Sequence, residues 1–296
     1  MDLEFAKMHG LGNDFVVFDG VRQEIGLTPE RIRAISDRRF GVGCDQVLVV
    51  EPAERAGVDF RYRIHNADGG EVEQCGNGAR CVAAFIHATG LSDARELRVV
   101  TLGGDIDLTR EADGRVTVAM GEPRLAGEFI PLREPGEHLS HGVDLSGRRW
   151  TFTAVSVGNP HAVIEVADAV TAPVAEVGPL LEHDELFPYG ANVEFVEIRG
   201  LDRLRVRVWE RGAGETLACG TGAMAAQVAS RLWGRTGPTA AVELDGGTLT
   251  IHWPGRGEAV TMTGPAELVY WGRLSGWPNP RPASAAHGRR SPEPDF

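Results

Sequence analysis

The chain has 296 residues, a formal net charge of −12, 42% hydrophobic and 24% charged residues, the make-up of a globular protein long enough for two domains. The acidic balance argues against a nucleic-acid partner, which needs a basic footprint, and no apolar run approaches the ~20 residues of a membrane span. Met1-Asp2-Leu3-Glu4 opens no secretory leader, and Cys44, Cys75, Cys81 and Cys219 form no CxxC pair and no Cys/His zinc spacing, so a reduced, cytoplasmic protein with no bound metal is expected.

In chain order, strands are expected within 5–18, on either side of the Gly-rich turn Gly10-Leu11-Gly12-Asn13. Thr28-Pro29 opens a short helix to about Ser36, with Thr as N-cap and Pro in the first turn. The loop from Gly41 to Gln46 leads into a strand over 47–50. A second strand over 60–64 ends in the turn from His65 to Gly70. A helix over roughly 77–89 follows Cys75 and is closed by Gly90. Short strands follow near 96–101, 104–110 and 115–120. Residues 121–150 are rich in Pro and Gly with little periodicity and read as an extended crossing segment. Strands are expected at 151–157 and 162–166, a helix over 173–181, and strands at 193–198 and 204–209. A helix over about 221–233, ending near Gly234, precedes strands at 239–245, 247–253, 258–263 and 268–271. The tail from about Ser275, rich in Pro, Ala, Ser and Arg, is expected to be disordered.

Many short alternating strands with one prominent helix per half predict an α+β fold rather than a doubly wound parallel sheet. The expected division is a first domain over 1–124, completed by a returning strand over 264–274, a second over 125–263, and a tail over 275–296.

The chain repeats itself around two cysteines. Glu71-Val72-Glu73-Gln74-Cys75-Gly76-Asn77-Gly78-Ala79 is echoed by Glu215-Thr216-Leu217-Ala218-Cys219-Gly220-Thr221-Gly222-Ala223, 219 − 75 = 144 residues later. Each copy sets a thiol at a helix start, where free backbone N–H groups and the helix dipole favour an anion. Such a site is expected to lower the thiol pKa and make a thiolate available near neutral pH. Either cysteine alone reads as well as a small buried apolar residue; the matched contexts favour a pair that acts together. Two domains facing each other would bring the thiols to opposite faces of one carbon, the geometry for removing a proton from one face and returning one to the other. Gly76-Asn77-Gly78 and Gly220-Thr221-Gly222 would let two helix N-termini approach a carboxylate, onto which carbanion charge must spread.

Glu210 and Arg211 sit side by side at a strand end, the acid able to accept from an ammonium and the base to fork onto a carboxylate. An exposed ion pair is the plainer reading. Asn13, Asn66, Asn77, Asn159 and Asn192 lie in or beside expected turns, where Asn is common, and Asn can also donate to a carboxylate and accept from an ammonium. Gln46 follows a similar loop, and His161 after Gly158-Asn159-Pro160 is a candidate to tune a thiol. Cys81 is expected to pack in the core; no chemical role follows for Cys44. Lys7 is the only lysine among 30 basic residues, and nothing around it resembles a phosphate cradle. A pyridoxal Schiff base is therefore disfavoured and a cofactor-free mechanism expected.

These segments resemble the diaminopimelate epimerase family. The likeness is carried by 7–15, Gly41 to Gln46, Arg63 to Gly69, Glu73 to Cys81, Gly158-Asn159-Pro160-His161, Asn192-Val193-Glu194-Phe195 and Glu210 to Gly222, and covers nearly all of the chain up to the tail. The resemblance implies two pseudo-symmetric domains, each a mostly antiparallel curved sheet around a central helix, and a cytoplasmic homodimer. It implies cofactor-independent interconversion of LL- and meso-2,6-diaminopimelate, for lysine and peptidoglycan precursors, with Cys75 and Cys219 as the acid/base pair. It further implies that Asn13, Gln46, Asn66, Asn159, Asn192, Glu210 and Arg211 hold the substrate. Gly76-Asn77 and Gly220-Thr221 would cradle the reacting carboxylate, and His161 and Glu210 would assist the thiols. Cys44 stands where that family often has Ala or an aromatic. Rival readings are a proline racemase-like enzyme, a non-catalytic binder of small molecules, and a dinucleotide-binding oxidoreductase. The last is suggested only by Gly220-Thr221-Gly222-Ala223-Met224-Ala225, which lies too far past its strand.

Overall fold

The computed structural model describes residues 2–73 and 75–275. The expected disorder of the tail concerns residues outside this range, apart from Ser275.

The first half runs β1 (Leu3–Gly10), β2 (Asn13–Asp19), α1 (Pro29–Ser36), β3 (Gln46–Pro52), β4 (Phe60–Asn66), β5 (Glu71–Val72), α2 (Gly76–Ala88), β6 (Glu96–Thr101), β7 (Gly104–Arg110) and β8 (Val116–Ala119). The second runs β9 (His141–Leu145), β10 (Arg148–Ser156), β11 (Pro160–Glu165), α3 (Val174–Glu182), β12 (Asn192–Gly200), β13 (Arg203–Glu210), β14 (Gly214–Thr216), α4 (Gly220–Leu232), β15 (Thr239–Leu244), β16 (Gly247–His252), β17 (Thr261–Gly264) and β18 (Glu267–Leu274).

The pairing repeats from one half to the other. β2–β3 and β4–β6 are parallel while β3–β4, β6–β7 and β7–β8 are antiparallel. Likewise β11–β12 and β13–β15 are parallel while β12–β13, β15–β16 and β16–β17 are antiparallel. The sheets are therefore mostly antiparallel and the fold is two-domain α+β, as the strand pattern predicts. The halves join where β8 and β17 pair antiparallel, with Val118 opposite Met262. One edge strand then crosses: β18, after β17, returns to lie beside β1 of the first half, while its counterpart β9 pairs with the adjoining β10.

The segment 121–150 is more ordered than its composition suggests. Arg124 bridges to Ser156, a 3₁₀ turn spans Gly127–Phe129, and β9 follows. Five residues with one Gly, set among Pro and Gly, are too short for alternation to stand out, and the open edge of β10 supplies the pairing that the local sequence does not specify.

Cys75 caps α2 and Cys219 caps α4, and nearly every side chain of both helices is buried. A helix apolar on all sides is one the sheet wraps around, and α2 and α4 share one continuous core. The outer sheet faces are covered separately, by α1 over Phe18, Val47 and Val49 and by α3 over Phe152, Ile164 and Phe195. A buried aliphatic or aromatic side chain contributes roughly 1.5–3 kcal/mol, so these three layers hold the two helix starts firmly.

The Leu11–Gly12 turn of the first half packs against the Gly246–Gly247 turn of the second. A Cβ at Gly246 would lie 2.0 Å from the Leu11 carbonyl oxygen, and the Gly246 N–H donates to Leu217 O at 2.8 Å. Backbone on both sides leaves no room to relax. Gly246→Ala is expected to destabilise the protein by about 1–3 kcal/mol, read as a lower urea midpoint. An unchanged midpoint would show that the two turns separate freely.

Candidate active site

The two cysteines occupy equivalent positions. Both have extended backbone at the N-cap, with φ/ψ of −145°/115° for Cys75 and −115°/115° for Cys219. Each sulfur accepts a hydrogen bond at 3.4 Å from the residue three further on, Gly78 N–H or Gly222 N–H. Sulfur thus replaces the usual capping oxygen, and the remaining first-turn N–H groups have no partner within the helix.

The two helix starts meet on Met262. A Cβ on Gly76 would lie 2.7 Å from Met262 Cε, and one on Gly220 would lie 3.0 Å from its Sδ. Asn77 ties the halves together: its Nδ2 donates to Ala218 O at 3.2 Å and to Asn13 Oδ1 at 3.3 Å. Its Oδ1 accepts from the wholly buried Arg80 guanidinium at 2.9 Å. Arg80 also reaches Met262 Sδ at 3.2 Å and Pro265 O at 3.0 Å.

A cleft of about 1590 Å³ opens between the halves and brings together most residues singled out in the sequence. Cys75, Gly76 and Asn77 face it from one side and Cys219, Gly220 and Thr221 from the other. Asn13, Gln46 and Asn66 line the first half's wall, and Asn159, Glu210 and Arg211 the second's. Asn13 and Asn159 occupy matching places. Asn13 Oδ1 lies 3.8 Å from Cys75 Sγ, while Asn159 Nδ2 donates to Thr221 Oγ1 at 3.3 Å, which lies 3.4 Å from Cys219 Sγ. Gln46 Nε2 donates to Asn66 Oδ1 at 2.8 Å, and Arg211 Nη1 to Tyr189 O at 3.1 Å.

Two of the singled-out residues stand behind the wall. Asn192 spends its amide on Pro160 O, at 3.1 Å, and on the Arg211 N–H, at 2.9 Å, so it holds the Arg211 loop. His161 is wholly buried between Glu194 and Asn159.

The electrostatics correct one expectation. Burial pushes the Cys75 thiol up to about 11, outweighing the Gly78 and Asn77 N–H groups that pull it down. Cys219 is raised well above the ordinary thiol value, first by burial and then by the Glu210 and Glu194 carboxyls. The helix N-terminus acts in the direction foreseen, but loss of water is the larger effect, and neither thiol is poised near neutrality. Burial also raises Glu210, against hydrogen bonds from the Thr216 hydroxyl and the Cys219 thiol.

Sequence reasoning missed Glu194, Thr216, Arg80 and Met262 as parts of the site. Glu194 left a trace: it shares a strand face with the core residue Val196, where an acid is out of place. It also missed the ion cluster under Asn13. Asp14 pairs with Lys7 at 2.5 Å and Arg38 at 2.7 Å, and Asp45 accepts from Asn13 Nδ2 at 2.9 Å. Burial works to raise Asp14, but Arg38 and Lys7 together hold it well below the usual carboxylate range. The Lys7 ammonium is engaged by Asp14 and the Gly43 carbonyl. Cys44 is buried, with Sγ 3.5 Å from Ser36 Oγ, and Cys81 lies in the core.

The chain matches the family model described as diaminopimelate epimerase over residues 5–126 and 153–269. It is 53% identical over 274 residues to the diaminopimelate epimerase of Aromatoleum aromaticum, covering 93% of this chain and 99% of that one. It is 52% identical over 281 residues to that of Ralstonia nicotianae, covering 93% and 96%. A solved hydroxyproline epimerase from Agrobacterium vitis, with bound trans-4-hydroxy-L-proline, superposes with a TM-score of 0.68 at 18% identity over 92% of each chain. A PhzF-family phenazine biosynthesis protein from Bacillus anthracis gives 0.65 at 15% over 93% and 99%. These two share the fold.

With the Cys75 thiol at about 11, its thiolate fraction at pH 7 is about 10⁻⁴. Alkylation of Cys75 by iodoacetamide, mapped by mass spectrometry without substrate, is expected to accelerate ~10-fold per pH unit from 7 to 9. A rate already level by pH 8 would contradict the burial argument.

Proposed function

The chain belongs to the diaminopimelate epimerase family, and we propose that it interconverts LL- and meso-2,6-diaminopimelate by passing an α-proton between Cys75 and Cys219, without a cofactor. The observation that carries this reading is the matched pair of thiols, each capping a helix and both facing one cleft. One sulfur, as thiolate, removes the α-proton; the other, as thiol, donates to the opposite face; the roles exchange in the reverse direction. The α-proton of an amino acid is weakly acidic, so the carbanion's charge must spread onto the α-carboxylate. The first-turn N–H groups at Gly76-Asn77 and Gly220-Thr221 are the preorganised donors suited to that charge.

Burial disfavours the thiolate at both cysteines, so the step needs one thiol to ionise while the other keeps its proton, and the two titrate as a coupled pair. The α-ammonium of an arriving substrate supplies positive charge beside the sulfurs in a site from which water has been removed, which favours one thiolate. The cleft is larger than the ~300–1,000 Å³ of a typical small-molecule site, which supports an open form that closes on its ligand.

The distal amino-acid end of diaminopimelate would be held by Asn13, Gln46, Asn66, Asn159, Glu210 and Arg211, with Asn192 supporting Arg211 from behind. A carboxylate for Arg211 and an ammonium for Glu210 match a zwitterion better than an apolar ring, which favours this substrate over proline-type ones. The reaction would serve lysine and peptidoglycan-precursor biosynthesis in the cytoplasm. No helix among the described residues is long and apolar enough to cross a membrane. A homodimer is supported by the edge strand β18, where Leu268, Val269, Tyr270 and Trp271 are 40–55% exposed in a row.

In D₂O, proton NMR of LL-diaminopimelate with the reduced protein is expected to show meso product with deuterium at the α-carbon. Cys75→Ala and Cys219→Ala should each lower epimerisation by at least ~10³-fold; near-normal turnover in either variant would sink the two-thiol mechanism. Proline, 4-hydroxyproline and lysine, offered in parallel, should not react. Sedimentation should give twice the 31.9 kDa chain mass, and a monomer would remove the dimer from this reading.

A further inference from the structure

The two halves match in backbone but differ beneath their thiols. In the parallel ladder of the first half, Phe15 pairs with Gln46 and Val17 with Leu48; in the second, His161 pairs with Asn192 and Val163 with Glu194. The buried, hydrogen-bonded pair His161–Glu194 therefore stands where the first half has Phe15 and Leu48. Both pairs lie under the same point of the helix: a Cβ on Gly78 would meet Leu48 Cδ2 at 3.4 Å, and one on Gly222 would meet Glu194 Oε1 at 2.8 Å. An apolar floor is thus sufficient to build this fold, and the polar one asks for another explanation.

Hydrogen-bond accounting supplies it. Glu194 Oε1 lies 2.7 Å from His161 Nδ1, and His161 Nε2 lies 2.9 Å from Asn159 Oδ1. An amide oxygen only accepts, so Nε2 carries a proton. The Nδ1–Oε1 contact needs one more, held by nitrogen or oxygen, so the pair is neutral as a unit. Asn159 then turns its Nδ2 to Thr221 Oγ1 at 3.3 Å. With that lone pair taken, the Thr221 hydroxyl is free to donate to Cys219 Sγ at 3.4 Å. Among the described residues Glu194 Oε2 has no hydrogen-bond partner, which stability alone does not favour in a buried carboxyl.

We propose that Glu194 is a positioning residue for the second thiol, fixing His161 so that Asn159 and Thr221 are oriented on Cys219; beside Cys75, Asn13 is instead held directly by Asp45 and Asn77, with no histidine between. The proposal rests on the two-thiol reading above and adds that the thiols are chemically unequal by construction.

Glu194→Gln and Glu194→Leu test it. A Gln amide can donate to His161 Nδ1 and keep Nε2–H on Asn159, so kcat should stay within a few-fold of the unaltered protein. Leu breaks the chain at its root, and kcat should fall ~10²-fold with KM little changed. Site-resolved iodoacetamide alkylation, without substrate, should show the pH dependence of Cys219 altered in the Leu variant and that of Cys75 unmoved. Should Glu194→Leu not fold, the double variant His161→Phe with Glu194→Leu installs the first half's own pair and carries the same expectations. Undiminished kcat in the Leu variant, equal losses in the Gln and Leu variants, or equal shifts at both cysteines would overturn the proposal. Absence of diaminopimelate turnover in the unaltered protein would instead defeat the proposed function, and the alkylation result would still decide the relay.

Discussion

The cleft depends on the antiparallel pairing of β8 with β17. That one ladder turns two separate half-sheets into a continuous surface and sets Met262 at the point where the halves meet. Met262 lies close under both Gly76 and Gly220, and Arg80 holds its sulfur and the Asn77 amide from below. A flexible thioether fills such an irregular gap well, while Arg80, wholly buried, is satisfied by a carbonyl, an amide oxygen and that sulfur. Two helix N-termini, each carrying partial positive charge and unsatisfied N–H groups, are thereby held facing each other. They would repel in water-free surroundings unless something anionic came between them.

The return of β18 reinforces this arrangement. Because β18 lies on β1, the chain crosses back to the first half after β17. The sheet of the first half is therefore completed by the last strand of the chain. Asn13 and Asn159 line opposite walls of the cleft, each on the same half as the thiol it neighbours.

Burial shapes the chemistry as much as the helix dipoles do. A cysteine at a helix start in water would have its thiolate favoured; here the same cysteines are enclosed by the shared core, and desolvation dominates. A thiol with a high pKa gives a strongly basic thiolate once formed, which suits removal of a weakly acidic proton. The surroundings of the two sulfurs then diverge. Glu210 raises both thiols, but Leu48 lies under the first turn after Cys75, whereas the Glu194 carboxyl lies under the one after Cys219. One backbone plan has thus been fitted with two different floors.

Much of this was legible in the chain itself. The repeated Glu-x-x-x-Cys-Gly-x-Gly-Ala frames revealed the duplication because a helix N-cap, a close approach and a helix start are demands of local backbone geometry, written in adjacent residues. The alternation of short strands likewise announced a sheet-rich α+β fold, since side-chain period follows strand geometry. The order of the ladder and the strand β9 were not legible, because pairing is a relation between distant segments and five residues carry too little pattern. Nor was the sign of the thiol shift: how much water a sulfur loses depends on what Met262, Leu48 and the facing half pack around it. Glu194 could be seen as an acid at an inward position, but its hydrogen-bonded path to Cys219 exists only once β11, β12 and α4 are folded together. The sequence alone determined which residues could do acid–base chemistry; the tertiary structure decided which of them are dry, which are close and which are held by a neighbour, because those are properties of packing across the whole chain.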